Sequence, residues 1–289
     1  MGKQNEASDY AKLIILTVFY FHQLLVIGAP AQLSGSSNNF VDVVHNPKCP
    51  LLLDTPGVNF VKQPRILVSR RSHEFACQHV AECVITTTPP ETNVYWYANS
   101  ELVDVATQQD FTIHPLDGNS FVQNPIMGGS ETTYRICIDE FMKPNKLNTF
   151  KCRIESACDH SLAKESQVMT VRVNENWELE NNSAMAQKAP LITMITSTRM
   201  EIAGNLLKFF CRASGNPKPK ISWKVIDDEI ESVYHSLKNY PYIYKMNDGS
   251  VVIDSSKTDL ASISLECRAQ NEFGIDRATS TMLLLAREE

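Results

Sequence analysis

The sequence predicts an all-β protein built of two tandem β-sandwiches, and three observations support that fold class. A Cys, Trp, Cys pattern occurs twice, most clearly as Cys211, Trp223 and Cys267. Short runs rich in β-branched and aromatic residues recur between turn residues, a rhythm typical of antiparallel strands and not of βαβ units. The 289 residues also leave room for two domains of roughly 100 residues each, with flanking segments.

The start of the chain is typical of a secreted protein. An apolar stretch over residues 13–31 follows Lys3 and Lys12 and closes on a small-residue Ala-Pro-Ala sequence. We predict that residues 1–31 are a secretory signal peptide. An uncleaved membrane anchor is the alternative, but the uninterrupted apolar run is shorter than the ~20 residues that a membrane span prefers. Residues 32–47 are rich in Ser, Asn and Gly, and we predict a disordered leader there.

The remaining chain divides into two predicted domains joined by a linker. The first sandwich is expected over residues 48–173 and the second over residues 190–286. Residues 174–189 are rich in Asn and Glu and form the predicted linker, which holds Asn181, the acceptor of the chain's only Asn-x-Ser/Thr sequence and a predicted glycosylation site. The strands expected in the second domain cover 206–212, 220–225, 240–245, 250–253, 263–269 and 279–285.

Apolar alternation and a tryptophan at a fixed distance from the first cysteine indicate the kind of sandwich in the second domain. Leu207, Phe209 and Cys211 alternate as in a half-buried strand. A tryptophan about a dozen residues after this cysteine packs over the inter-sheet disulfide of an immunoglobulin-like domain. We therefore predict two immunoglobulin-like domains, with Trp96 and Trp223 in their cores.

The eight cysteines are an even number in a chain with a predicted signal peptide, so we expect disulfides. Cys211 with Cys267 is the expected bridge of the second domain. In the first domain, Cys83 follows Cys77 by six residues, and Cys158 follows Cys152 by six. If these two strands run in the same direction, the equal offsets favour two parallel bridges between them. The preferred pairs are Cys77 with Cys152, Cys83 with Cys158, and Cys49 with Cys137. The alternative pairs are Cys83 with Cys152, Cys77 with Cys137, and Cys49 with Cys158.

The same region holds a cluster of cysteines and histidines that could suggest a metal site. His73, Cys77, His79 and Cys83 lie close together in the sequence, but their spacing matches no standard zinc module. Disulfides are also favoured outside the cell. We therefore predict no metal and no cofactor.

The second domain resembles an immunoglobulin I-set domain, because residues 215–223 and 267–274 match Gly-x-Pro-x-Pro-x-Ile-x-Trp and Cys-x-Ala-x-Asn-x-x-Gly in full. With the segments 74–77, 198–205 and 271–274 and the extra cysteine Cys137, the mature chain resembles the zwei-Ig proteins, secreted two-immunoglobulin-domain proteins of nematodes. The family's usual tyrosine before the second core cysteine is replaced by Phe150 and by Leu265. The two-domain plan is also similar to an insect secreted protein that binds insulin-like peptides.

Composition and resemblance together predict a binding protein. The formal net charge is −6 and the basic residues are dispersed, so nothing points to a nucleic-acid partner. The sequence contains no phosphate-binding glycine loop, paired-carboxylate signature or activated-nucleophile motif, so we do not expect an enzyme. The resemblance implies a role in nervous-system maintenance, holding axons and neurons in position through a cell-surface or matrix adhesion protein. The alternative is a carrier that sequesters an insulin-like peptide.

Exposed tyrosines are the candidate contact residues, because a tyrosine offers a large contact area at little entropy cost. One candidate set is Tyr240, Tyr242 and Tyr244, which we expect on one face of one strand. The other is Tyr95 and Tyr97, which flank inward-facing Trp96 and should point outward. Packing of these tyrosines on their own sheets is the competing interpretation. Three arginines, Arg65, Arg70 and Arg71, are a weaker candidate site for a heparan-like chain.

Overall fold

The computed structural model describes residues 57–68, 76–88, 91–108, 128–156, 159–175, 187–226 and 233–285. The predicted signal peptide and leader, Asn181, Cys49, Cys158, His73, Arg70 and Arg71 lie outside these residues. The described chain is all-β, with sheets that form sandwiches around two separate hydrophobic cores. Among the described residues, no helix is both long enough and apolar enough to cross a membrane.

The first sandwich consists of nine described strands. They are β1 (Gly57–Phe60), β2 (Arg65–Val68), β3 (His79–Thr88), β4 (Thr92–Ala98), β5 (Glu101–Gln108), β6 (Ser130–Cys137), β7 (Leu147–Ser156), β8 (Ala163–Glu165) and β9 (Met169–Arg172). Both β1 and β2 pair with β3, which pairs with β6. The facing sheet has the order β5-β4-β7-β8, with β9 also paired to β7.

The second sandwich follows with another nine. They are β10 (Lys188–Ile202), β11 (Leu206–Phe209), β12 (Cys211–Asn216), β13 (Lys220–Ile226), β14 (Tyr234–Ser236), β15 (Ile243–Lys245), β16 (Val251–Asp254), β17 (Ser262–Asn271) and β18 (Gly274–Leu285). One sheet path runs β10-β18-β17-β13-β14, and β11-β16-β15 form a separate three-stranded sheet.

Strict alternation explains why these strands form where they do. Along β4 every second residue from Thr92 to Ala98 is buried, and the residues between them are half-buried, as a strand with one face on the core requires. The same alternation places Trp96 in the first core and Trp223 in the second, where they are 1% and 5% exposed. The Trp223 indole N–H also donates to the Gly249 carbonyl at 2.8 Å, so its polar atom is satisfied despite burial.

Strand β10 joins the two sandwiches into one sheet. Its middle pairs antiparallel with β6 of the first sandwich, with Met194 opposite Tyr134 and Arg199 opposite Ser130. Its first half also pairs with β12, and its last five residues pair in parallel with β18. The result is a ten-stranded sheet that crosses from one sandwich to the other. This strand begins two residues before the predicted start of the second domain.

Two residues of the second sandwich complete the core of the first. Met194 on β10 and Phe210, between β11 and β12, are 1% and 2% exposed and belong to the first hydrophobic core. The backbones of Thr196 and Phe210 are tied together, because the Thr196 N–H donates to the Phe210 carbonyl and the Phe210 N–H donates to Thr196 Oγ1, both at 3.1 Å. The two sandwiches therefore share hydrophobic packing as well as a sheet.

The preferred disulfide ladder of the first domain is wrong. The structure bonds Cys83 to Cys152 and Cys77 to Cys137, which are two pairs of the alternative scheme. Strand β3 begins at His79, so Cys77 lies before the strand and the six-residue offset from Cys83 does not measure strand length. Cys137 ends the neighbouring strand β6, opposite Val80, which puts it within reach of Cys77. In the second domain Cys211 is bonded to Cys267.

Candidate binding face

The outer face of the β5-β4-β7 sheet brings the first pair of candidate tyrosines together. Tyr95 and Tyr97 alternate with buried Val94 and Trp96, so both rings point away from the core. Directly opposite them on β5 lie Val105 and Leu102. Directly opposite them on β7 lie Arg153 and Lys151. These six side chains, Tyr95, Tyr97, Leu102, Val105, Lys151 and Arg153, are called the tyrosine face below.

A basic side chain lies over each tyrosine ring on this face. The Arg153 guanidinium lies 5.3 Å from the Tyr95 ring centroid, and the Lys151 ammonium lies 5.3 Å from that of Tyr97. Cation–π contacts at exposed sites contribute about 0.5–1 kcal/mol. Both cations are also ion-paired, Arg153 with Glu155 at 2.7 Å and Lys151 with Glu165 at 2.8 Å. The rings are thus held in place while the charges near them are largely balanced.

Exposed aliphatic side chains surround the two rings. Leu102 is 53% exposed and Val105 is 46% exposed, and both lie on β5. A shallow open pocket beside Tyr97 is lined by Lys151, Glu165 and Val168, and Val168 is itself 58% exposed. Aromatic anchors with apolar neighbours and little unbalanced charge are what a protein partner buries at the centre of an interface.

The sequence did not single out Leu102, Val105, Lys151 or Arg153 as members of this face. For the β7 pair a signal was present, because Lys151 and Arg153 alternate with Phe150, Cys152 and Ile154 and must point away from them. For the β5 pair the sequence offered no such signal, because a bulge between Trp96 and Tyr97 shifts the register against β5.

The second set of tyrosines does not share a strand, which corrects the expectation for Tyr240, Tyr242 and Tyr244. Only Tyr244 lies in β15, because Pro241 and the preceding 3-10 helix, Leu237–Asn239, occupy the start of the run. Tyr240 and Tyr242 pack on the second core, with ring centroids 6.0 Å apart in an edge-to-face contact. Tyr244 accepts a hydrogen bond from Lys257 at 2.9 Å. The competing interpretation, packing on their own domain, describes these residues better.

The two described cysteines of the possible zinc cluster, Cys77 and Cys83, are both in disulfides. Cys77 and Cys83 are bonded to different partners, Cys137 and Cys152. Asp139 lies beside the Cys77–Cys137 bridge, but its carboxylate accepts from the backbone N–H groups of Gln78 and His79 at 2.6 and 3.0 Å. Sulfurs in a disulfide are not thiolates, and thiolate is the form that binds metal. In the described part of the chain, this arrangement offers a metal no thiolate.

Arg65, one of the three arginines of the candidate heparan-binding site, forms an ion pair with Glu82. Its Nη2 lies 2.9 Å from buried Glu82, and Arg135 Nε approaches the same carboxylate at 2.9 Å from the other side. Burial of Glu82 raises its pKa, but the hydrogen bonds and charges of the two arginines outweigh burial and hold the pKa below its usual value of 4.5. Arg65 therefore stabilises the sheet.

Comparison with protein families identifies the second sandwich. Residues 191–284 match the immunoglobulin I-set domain. These residues form an I-set domain. The chain is similar to Hemicentin-1 of Homo sapiens, with 31% identity over 97 residues, 33% of this chain and 2% of that protein. It is also similar to Immunoglobulin superfamily member 10 of Mus musculus, with 25% identity over 190 residues, 65% of this chain and 6% of that protein.

Two solved structures are similar to the chain at low identity. The crystal structure of neural ectodermal development factor IMP-L2 is 14% identical with a TM-score of 0.49, and covers 80% of this chain and 96% of that one. The tandem Ig repeats of Dlar are 18% identical with a TM-score of 0.30, and cover 80% and 98%. The I-set match and the two sequence relatives identify the chain as an immunoglobulin-domain protein of the extracellular type, and such proteins are typically non-enzymatic binding and adhesion proteins. It spans only a small part of each of the two sequence relatives.

Proposed function

We propose that the chain is a secreted binding protein of the zwei-Ig type, which helps hold axons and neurons in position by binding a cell-surface or matrix adhesion protein. The tyrosine face is the observation that carries this proposal. It combines two oriented rings, exposed aliphatic neighbours and balanced charges on a rigid sheet. The neuronal role rests on the resemblance of segments 74–77, 198–205 and 271–274 to the zwei-Ig proteins.

The preferred partner is a folded extracellular protein with an apolar patch of its own. Ion pairing of Lys151 and Arg153 leaves little net charge on the face, so long-range attraction of a strongly charged ligand is not its main source of affinity. Rings already fixed by cations lose little further freedom on binding, which favours affinity.

Binding to intact neurons tests this proposal. Labelled full-length secreted protein should bind the surface of cultured neurons, and Tyr97→Ala should weaken the binding at least about tenfold, since central aromatic anchors cost 2 kcal/mol or more when truncated. Tyr244→Ala is the matched control, because Tyr244 also has a lysine over its ring, at 5.4 Å, but lies in the other sandwich. Equal binding by all three proteins, or no binding to neurons, would refute the proposal.

A carrier of an insulin-like peptide is the second candidate, and one surface favours it. Where β10 runs beside β18, Met200 lies opposite Leu283 and Ile202 opposite Leu285, on the outer side of the shared sheet. All four are at least partly exposed, and Leu285 is 44% exposed. Two adjacent apolar rows offer a site for the apolar side of a peptide hormone.

Co-precipitation separates the two candidates. A carrier would retain an insulin-like peptide on the immobilised chain, and Leu283→Asp would abolish that retention while leaving neuronal binding unchanged. Neuronal staining that persists after insulin-like peptides are removed from the medium, with no peptide retained, would support the adhesion role.

A further inference from the structure

Four basic side chains converge on the outer face of the second sandwich, on strands β13, β17 and β18. The inward residues of these strands include Trp223, Cys267 and Ala278, which contact the second core. The alternate positions point outward. They include Lys220, Lys224, Arg268 and Arg277, which are called the basic face below.

Two of these cations are direct neighbours across the sheet. Arg268 and Arg277 are paired in the β17-β18 register, so their Cβ atoms lie roughly 5 Å apart. Like charges placed directly opposite each other destabilise a sheet. Lys220 is one row away, because its own partner on β17 is Gln270. An arrangement with this internal repulsion becomes favourable when an anion lies over it.

The protein itself neutralises this charge only in part, through Glu266, which lies opposite Lys224 on β17. The nearest carboxylate is Glu266, whose Oε1 is 3.8 Å from Arg268 Nε, beyond hydrogen-bond distance. Both of those buried atoms lack a hydrogen-bond partner. Across the described strands and turns, no ion pair involves Lys220, Lys224 or Arg277, and Lys224 instead lies 5.4 Å from the Tyr234 ring centroid.

The basic face also contrasts with the chain as a whole, whose formal net charge is −6. Because Glu266 lies opposite Lys224, the positive potential of the face is concentrated on the rows of Arg268, Arg277 and Lys220.

We propose that the basic face binds a sulfated glycosaminoglycan chain. Planar guanidinium groups match the oxygens of a sulfate or phosphate group in a bidentate way, and an extended polyanion can contact several rows at once. The other outward positions on these rows are polar Ser222, Gln270 and Thr279, the carboxylate Glu266 opposite Lys224, and Ile275 at the edge opposite Gln270. The centre of the face therefore lacks the apolar anchor that a protein partner needs, in contrast to the tyrosine face. This surface is separate from the proposed protein contact, so either can be correct without the other.

Chromatography of the full-length secreted protein on immobilised heparin tests the proposal. The wild type should be retained at low salt, and Arg268→Gln with Arg277→Gln should lower the affinity at least about fivefold. The slope of log affinity against log salt concentration should also become shallower by about 1–2, because two fewer counterions are displaced. The matched control is Lys143→Gln with Lys146→Gln, which removes the same charge from an exposed turn of the first sandwich.

Three outcomes would overturn the proposal. They are no retention of the wild type, an equal loss of affinity in the control variant, and equally tight binding to unsulfated hyaluronan or polyglutamate. The last outcome would assign the face to carboxylate polymers or acidic protein segments instead. Hydrogen exchange of β17 and β18 distinguishes lost binding from lost folding, since a folded variant keeps its amide protection.

Discussion

Replacing Met194 with alanine is the sharpest test of how the two sandwiches are joined. Met194 lies on β10, in the segment assigned to the I-set domain, but its side chain is buried in the core of the first sandwich. Truncation of a fully buried methionine to alanine costs about 2–5 kcal/mol, from lost apolar transfer and the cavity left behind. With its side chain only 1% exposed among packed neighbours, water cannot refill the space at low cost.

Urea unfolding followed by hydrogen exchange measures this effect. A loss of about 2–5 kcal/mol should lower the urea midpoint by roughly 1–2 M, given an m-value of about 1–3 kcal/mol/M. Amide protection should fall most in β3, β6 and β7, which are central strands of the first sandwich, and less in β13 and β17 of the second. Met200→Ala is the control, because it makes the same substitution on the same strand at a partly exposed position, and it should cost under about 1 kcal/mol.

The reasoning would be refuted if Met194→Ala kept the wild-type midpoint. It would also be refuted if protection were lost only in the second sandwich, since Met194 would then belong to that core alone.

Three further predictions follow from particular contacts. Trp223→Ala should cost about 3–5 kcal/mol and reduce the yield of folded protein, as measured by thermal unfolding and expression. A normal yield with an unchanged melting transition would contradict the placement of that core. The Cys77–Cys137 bridge closes a sequence separation of 60 residues, so removing it should lower the free energy of unfolding by about 2–4 kcal/mol. A non-reducing peptide map that joins Cys77 to Cys152 would contradict the observed pairing. Because the folded-state pKa of Glu82 lies below 4.5, its ionised form stabilises the fold at neutral pH, and this contribution is lost as the pH falls through the lowered pKa. The stability advantage of the wild type over Glu82→Gln, measured by urea unfolding, should therefore shrink at acid pH. An advantage that does not change with pH would contradict this.

The sequence predicted the parts of the fold that depend on local alternation. The strands around Cys211, Trp223 and Cys267 follow from side chains that alternate between one core and solvent. Strand β10 was not predicted, because its side chains serve two different cores, Met194 the first and Ile195 the second. Its pairing with β6 is a contact between distant parts of the chain, which no local pattern encodes.

The remaining errors have equally local causes. The disulfide ladder assumed that Cys77 lies in a strand, whereas β3 begins only at His79. The alternating tyrosines from Tyr240 predict a strand, but Pro241 interrupts it, because proline has no N–H to donate to a sheet. The tyrosine face was half predicted, because alternation around Trp96 turned Tyr95 and Tyr97 outward but could not supply their neighbours on β5.

Binding of the tyrosine face to an extracellular protein is the central functional claim, and one titration tests it most directly. The full-length wild type is titrated against a partner selected from a library of extracellular domains, beside Tyr95→Ala with Tyr97→Ala and the control Tyr244→Ala. The account predicts at least about a tenfold loss of affinity for the double variant and wild-type affinity for the control. An unchanged affinity in a correctly folded double variant would contradict the claim.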